Sequence, residues 1–177
     1  MDRRTRLLPA ILIATALGAR AIAVVSSGEK AEYALSLGAV AAIDHTSEDV
    51  VARTRELTDG QGADRIVDII GGKVTAQNLD AVARYGHIVL VSTLSGGEAS
   101  LPLNKLLGRQ LTLSGSTLRP QPSETKAAIA SELRARIWPL LASMPKPRIR
   151  AFPLEQAADA HRALEDRSNI GKIVLSI

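Results

Sequence analysis

Cysteine is absent from the 177 residues, which excludes disulfides, thiolate zinc sites and cysteine nucleophiles. Aromatic residues make up only 2% of the chain, so few rings are available to stack on nucleic-acid bases. The formal net charge is +4, and part of that excess comes from three arginines within the first six residues, so no basic face is indicated. We therefore do not expect nucleic acid as a partner.

The composition is nevertheless that of a folded protein. Hydrophobic residues account for 46% and charged residues for 23%, a balance that supports a buried core. With so few aromatic residues, that core has to be built from Ala, Leu, Ile and Val. The length indicates one domain, or one domain with a small appendage.

The first 23 residues allow two interpretations. A basic opening, an apolar run over Leu7–Leu17 and two Ala-x-Ala patterns outline a secretory signal, which would make the protein a secreted α/β binding domain. However, Arg20 comes immediately before the candidate cleavage sites, and the segment up to Val25 is typical of a helix end, a turn and a strand. Pro9 and Gly18 also interrupt a stretch that is already too short to cross a membrane. We expect a cytoplasmic protein without a membrane contact.

Short apolar strands alternate with helices in the first two thirds of the chain. The predicted strands are Ala21–Val25, Ala41–Asp44, Arg65–Ile70, His87–Ser92 and Leu111–Thr117. The predicted helices are Glu29–Leu37, one opened by Thr46 with Asp49 three residues later, and Lys73–Arg84. Apolar strands separated by helices indicate a parallel sheet covered on both faces, which predicts an α/β, doubly wound, Rossmann-type fold.

The pattern changes after Pro120. Ser123–Ala142 is predicted to be one long helix, because apolar residues four apart form a stripe along it. A strand at Ile149–Phe152, a helix at Leu154–Glu165 and a closing strand at Gly171–Leu175 follow. This α+β segment lacks the regular alternation of strands and helices found earlier in the chain, and it is predicted to belong to a second structural unit.

Several segments together resemble a known superfamily. They are ALGARAIAVVSSGEKAEYALSLGAVAAIDH, GADRIVDIIGG, GHIVLVS, GSTLRP and AHRALEDRSNIGKIVL, in this order. The chain resembles the medium-chain dehydrogenase/reductase superfamily from Ala10 to Ile177, and within it the zinc-independent, zeta-crystallin-like NADPH:quinone oxidoreductases. The resemblance implies hydride transfer from NADPH to a quinone-like acceptor.

The resemblance also implies what is missing. Members carry a GroES-like catalytic domain and then a complete Rossmann domain, whereas residues 1–9 match neither and contain no glycine for a phosphate-binding turn. We expect a Rossmann domain over 10–118, truncated at its N-terminus, and a segment over 119–177 that returns to the catalytic domain. The missing strand would lie between Ala21–Val25 and Arg65–Ile70. Its loss would either leave unpaired backbone groups or bring its neighbours together.

The end of the second Rossmann strand distinguishes the two nicotinamide dinucleotides. An acidic residue there binds the ribose hydroxyls of NAD, whereas a cation with small polar residues accepts the 2′-phosphate of NADP. Ser26 and Ser27 stand where the acid would be, and Lys30 follows one turn into the helix. These residues favour NADPH as the cofactor. Alternatively, Ser26 and Glu29 form an ordinary capping box, and Lys30 is a solvated helix residue.

Further cofactor-binding candidates come from the resemblance. It adds His45 and Arg167 on the phosphate side. It also adds five residues at strand ends along the ribose and nicotinamide path: Ile70, Ser92, Thr93, Leu118 and Arg119. Local turns and caps are the alternative explanation for residues in these positions.

No residue pattern indicates catalysis by the chain's own side chains. His45, His87 and His161 are too far apart for a zinc-ligand motif, and no Ser–His–Asp arrangement is apparent, so we expect no metal and assign no catalytic residue. The resemblance further implies a homodimer formed through the edge strand at 111–117. Whether this chain is active alone stays open, and the alternative is a non-catalytic, dimerising or NADP-binding interaction module.

Overall fold

The computed structural model describes residues 7–165 and 169–177. Its α-helices are α1 (Leu7–Ala16), α2 (Gly28–Ser36), α3 (Val50–Glu56), α4 (Lys73–Ala81), α5 (Leu103–Gly108), α6 (Ser123–Arg136) and α7 (Ala157–Glu165). Its strands are β1 (Ile22–Val25), β2 (Ala41–Asp44), β3 (Ala63–Asp68), β4 (Val82–Leu90), β5 (Thr112–Gly115), β6 (Ile149–Pro153) and β7 (Lys172–Ser176). Among the described helices, none has both the length and the apolar character that crossing a membrane requires.

All strand pairs in the described part of the chain are parallel, which confirms the predicted α/β class. The strands form three sheets, with the orders β1-β2, β3-β4-β5 and β6-β7. Within the described residues, β1 has a strand neighbour only in β2, and β3 has one only in β4.

The first compact unit comprises the described residues of Met1–Asp44 and Ala135–Ile177. Its main core packs α1 and α2 against β1, and the buried residues are Ile11, Ala23, Tyr33, Ala34, Leu37 and Ala39. Burial of a side chain the size of leucine contributes about 2 kcal/mol, so this cluster holds α2 firmly on its strand. A smaller cluster of Phe152, Ala160 and Ala163 joins α7 to the β6-β7 sheet.

The second compact unit is His45–Arg134, with a core of Leu79, Val82, Ile88 and Leu111. Basic side chains satisfy the carbonyl groups at the end of α4. Arg109 donates to the carbonyl groups of Leu79 and Val82, and Arg55 donates to that of Asp80 at 2.8 Å. Cations are favoured at this end of a helix because the last carbonyl groups carry partial negative charge.

Two predicted helix boundaries in this unit are wrong. The helix expected from Thr46 begins at Val50, because the Asp49 carboxylate caps it and accepts hydrogen bonds from Val51 N and Ala52 N at 2.8 and 2.9 Å. The helix expected to run to Arg84 ends at Ala81, since Val82 pairs with Ala63 and so belongs to β4. A pairing between residues 19 positions apart overrides the local helical pattern.

The long helix predicted over Ser123–Ala142 is also wrong. Helix α6 ends at Arg136, and a short 3₁₀ helix follows at Trp138–Leu140. Pro139 accounts for the break, because it lacks an N–H and disfavours the helical conformation in the residue before it. Of the predicted apolar stripe only Ile137 is buried, whereas Ile129, Leu133 and Leu141 are exposed.

Gly171 offers a direct test of packing in the first unit. Its φ is +98°, and a Cβ atom built on it would lie 2.3 Å from the carbonyl oxygen of Arg148. We predict that Gly171→Ala lowers the free energy of unfolding by about 2 kcal/mol or more, since both the backbone conformation and the overlap are unfavourable. Gly108→Ala is the control, because nothing lies within 4 Å of its built Cβ atom. Equal denaturation midpoints for the two variants would contradict this packing.

Candidate functional site

The turn between β1 and α2 contains Ser26 and Ser27. Ser27 is the N-cap residue of α2, with an extended backbone, and its hydroxyl oxygen accepts a hydrogen bond from Lys30 N at 3.4 Å. The cap is therefore Ser27, and the alternative capping box of Ser26 with Glu29 is wrong. Because Ser27 satisfies the helix end, the Ser26 hydroxyl is available for another contact.

The Lys30 side chain folds back onto this turn. Its Nζ atom donates to the Ser26 hydroxyl oxygen at 3.2 Å, which places the ammonium group beside the carboxyl end of β1 and the first turn of α2. Both side chains are half-buried. Hydroxyl groups, an ammonium group and the N–H groups of a helix start are donors that suit a phosphate.

The other phosphate-side candidates are His45 and Arg167. His45 immediately follows β2 and is exposed; Asp44 before it pairs with Val25 of β1. Arg167 lies outside the described residues. The structure thus brings Ser26, Ser27 and Lys30 together, and it places His45 at the corresponding end of the neighbouring strand.

The five strand-end candidates all follow strands of the β3-β4-β5 sheet. Ile70 comes two residues after β3, Ser92 and Thr93 follow β4, and Leu118 and Arg119 follow β5. Because the strands are parallel, these residues leave the sheet at the same edge, where ligands bind in open α/β sheets. Ile70 and Ser92 are half-buried, and the other three are exposed.

Two of these loops are held together by Ser95. Its backbone N–H donates to the carbonyl oxygen of Ile70 at 2.8 Å, and its hydroxyl donates to that of Gly71 at 3.0 Å. Gly71 and Gly72 have positive φ, and built Cβ atoms would lie 2.9 Å from Thr93 Cα and 2.7 Å from Ser95 Oγ. Glycine is required here because larger residues would push the two loops apart.

Sequence reasoning assigned no role to Asp68, and the structure gives it one. Its side chain is 2% exposed at the end of β3. One carboxylate oxygen accepts from Ile70 N and Gly71 N at 2.7 and 2.9 Å, and the other accepts from the Thr75 hydroxyl and the Asn78 amide at 2.7 and 3.1 Å. The signal in the sequence is an aspartate before Gly-Gly, with Thr75 and Asn78 three apart on one face of α4.

Asp68 therefore fixes the backbone of the glycine turn. We predict that Asp68→Ala lowers the free energy of unfolding by about 3 kcal/mol, because it leaves four donors without their acceptor. Asp64→Ala removes an exposed aspartate from the same strand and is expected to change stability by less than about 0.5 kcal/mol. Chemical denaturation of both variants measures this, and similar midpoints would contradict the assignment.

The histidine and carboxylate side chains are dispersed in the described part of the chain. Among residues 7–165 and 169–177, His, Asp and Glu side chains form no group of three or more that could hold a metal ion. His87 instead contacts the Ser114 hydroxyl, with 2.6 Å between Nε2 and Oγ.

Comparison with known proteins finds quinone oxidoreductases and an alcohol dehydrogenase among the similar proteins. A quinone oxidoreductase of Pseudomonas aeruginosa is 35% identical over 168 residues, which cover 92% of this chain and 50% of that protein. The crystal structure of Escherichia coli quinone oxidoreductase complexed with NADPH is 30% identical, with a TM-score of 0.78, and the match covers 96% of this chain and 53% of that one. An NAD-dependent alcohol dehydrogenase is 34% identical, with a TM-score of 0.77, covering 96% and 47% respectively.

The chain spans about half the length of the curated relatives it matches. The family described as zinc-binding dehydrogenase matches residues 8–133, which is more than half of the chain. Cysteine is absent from this chain, and its described residues form no group that could hold a metal ion. By the extent of the match, the chain belongs to the zinc-binding dehydrogenase family, within the medium-chain dehydrogenase/reductase superfamily that its sequence resembles.

Proposed function

We propose that this chain binds NADPH as part of a zinc-independent oxidoreductase that transfers hydride to a quinone-like acceptor. The observation that carries the proposal is the hydrogen bond from Lys30 Nζ to Ser26 Oγ at the carboxyl end of β1. If β1 corresponds to the second strand of a Rossmann fold, the adenosine ribose of a dinucleotide would lie beside this cation. The 2′-phosphate would accept from this ammonium group and from the two serine hydroxyls.

The choice of NADPH over NADH depends on the two residues that follow β1. A carboxylate in this position would bind the ribose hydroxyls of NADH and repel a phosphate, whereas Ser26 and Ser27 are neutral donors. The relatives differ in this respect, because one is described with NADPH and another as NAD-dependent. The serines and the lysine of this chain favour the phosphorylated cofactor.

The remaining candidates complete the proposed binding path. His45 and Arg167 would add contacts on the phosphate side, and the strand-end residues would line the ribose and nicotinamide path mainly through backbone groups. The nicotinamide supplies the hydride chemistry, while the chain binds and orients it. We further propose a cytoplasmic location, a dinucleotide-binding domain over 10–118 and a segment over 119–177 that joins the catalytic domain.

A second proposal follows from the length of the match. Because the chain spans about half of its curated relatives, it is alternatively a module that binds NADPH without turning it over. Mixing the purified protein with NADPH and benzoquinone separates the two proposals. Cofactor oxidation above the rate without protein supports the enzyme, whereas tight binding without oxidation supports the module.

The lysine is the first residue to test. We predict that Lys30→Ala weakens NADPH binding about tenfold and leaves NADH binding unchanged, because only NADPH carries the phosphate that the ammonium group contacts. Titration of the reduced-nicotinamide fluorescence measures both affinities. Lys146→Ala removes an exposed lysine and the same charge, so it is the matched control. Equal losses for both cofactors, or a wild-type preference for NADH, would count against the proposal.

We also propose that the partner of this chain is a second copy, joined through the edge of β5. In the described sheet β5 pairs only with β4, so its other edge is available for strand pairing. Light scattering after gel filtration is expected to give twice the chain mass of 18.7 kDa. Thr112→Lys places a charge on the edge strand and is expected to yield monomers, whereas Thr125→Lys on the exposed α6 is the control. A monomeric wild-type protein would refute this contact.

A further inference from the structure

We propose that Arg148 is a positioning residue that sets the cofactor selectivity of the β1–α2 turn by holding the Glu29 carboxylate away from it. This inference rests on the proposed NADPH site. Arg148 lies one residue before β6, more than a hundred positions from α2 in the sequence, and both belong to the first compact unit.

The backbone of Arg148 is fixed on two sides. Its N–H donates to the Tyr33 hydroxyl at 2.8 Å, and Tyr33 is a core residue of α2 that is only 4% exposed. Its carbonyl oxygen accepts from Lys172 N at 2.8 Å and packs directly against Gly171. The side chain therefore starts from a fixed point next to α2, which limits where the guanidinium group reaches.

The guanidinium group lies on the first turn of α2. Its central carbon is 5.1 Å from the centre of the Tyr33 ring, and its Nη1 atom is 4.0 Å from a carboxylate oxygen of Glu29. Glu29 and Tyr33 are four residues apart and share one face of the helix. Arg148 therefore covers this face, while the Lys30 ammonium group contacts Ser26 at the start of the helix.

Glu29 is the acidic residue in the first turn of α2. A carboxylate in this turn is attracted both by the helix N-terminus and by the neighbouring ammonium group, and it would compete with a phosphate for them. Pairing with Arg148 gives Glu29 a different cation on a different face. The Lys30 ammonium group then stays with Ser26 at the turn, where it favours a dianionic phosphate over two neutral ribose hydroxyls.

The expected effect is modest because this ion pair is exposed. The side chains of Arg148 and Glu29 are 60% and 70% exposed, so solvent and salt weaken their attraction. We expect Arg148→Ala to weaken binding of adenosine 2′,5′-bisphosphate about fivefold and to leave AMP binding unchanged. Raising the salt concentration should reduce this difference.

The test is a double-mutant cycle measured by calorimetry with these two nucleotides. Arg148→Ala, Glu29→Gln and the double variant are compared with the wild-type chain. If Arg148 acts through Glu29, its substitution has no further effect in the Glu29→Gln background. A loss of about fivefold in that background would show that Arg148 contacts the phosphate directly, and it would overturn the route through Glu29.

Two further variants separate selectivity from folding. Arg150→Ala is the matched control, because Arg150 lies on β6 with its guanidinium carbon 4.8 Å from the Phe152 ring centre, the same type of contact. Arg148→Lys keeps the charge and is expected to retain most of the selectivity. Unchanged selectivity in Arg148→Ala, with a wild-type chain that prefers the bisphosphate, would overturn this inference alone. A wild-type chain without that preference would overturn the proposed function itself.

Discussion

Parallel strand pairing is the constraint on which the arrangement of the candidate site depends. It brings the carboxyl ends of β1 and β2 to one edge, and it does the same for β3, β4 and β5 in their own sheet. Each helix that follows then begins at such an edge, with N–H groups that lack helical partners. Chemistry in this fold is therefore decided by how each strand-to-helix turn satisfies those groups.

In two of these turns, the N–H groups find their hydrogen-bond acceptors in opposite ways. The turn after β3 contains the buried Asp68 carboxylate, which accepts the nearby N–H groups and fills the space with negative charge. The turn after β1 uses a neutral serine as the cap and places an ammonium group beside it. The same backbone geometry thus produces one turn that is closed internally and one that presents donors to an anion.

Sequence patterns predicted some of the features that depend on near neighbours, but not the Asp49 cap of α3 or the break at Pro139. Strand β2 has the predicted bounds, and the contact between Ser26 and Lys30 follows from their spacing of four residues. Features that depend on distant residues were not predicted. For example, the end of α4 is set by the pairing of Val82 with Ala63. The contact of Arg148 with Tyr33 spans 115 positions, and no local pattern encodes it.

The contrast between the two turns has an evolutionary consequence. Asp68 shares its four hydrogen bonds with the glycine turn and with α4, so a change there requires compensating changes elsewhere. Ser26 and Lys30 are half-buried, bond to each other and are not among the buried residues of the core, so either can be replaced with little disturbance of that core. In a protein of this fold, single substitutions at the turn after β1 can therefore change which anion it accepts, while a substitution at Asp68 has to be accompanied by changes in its partners.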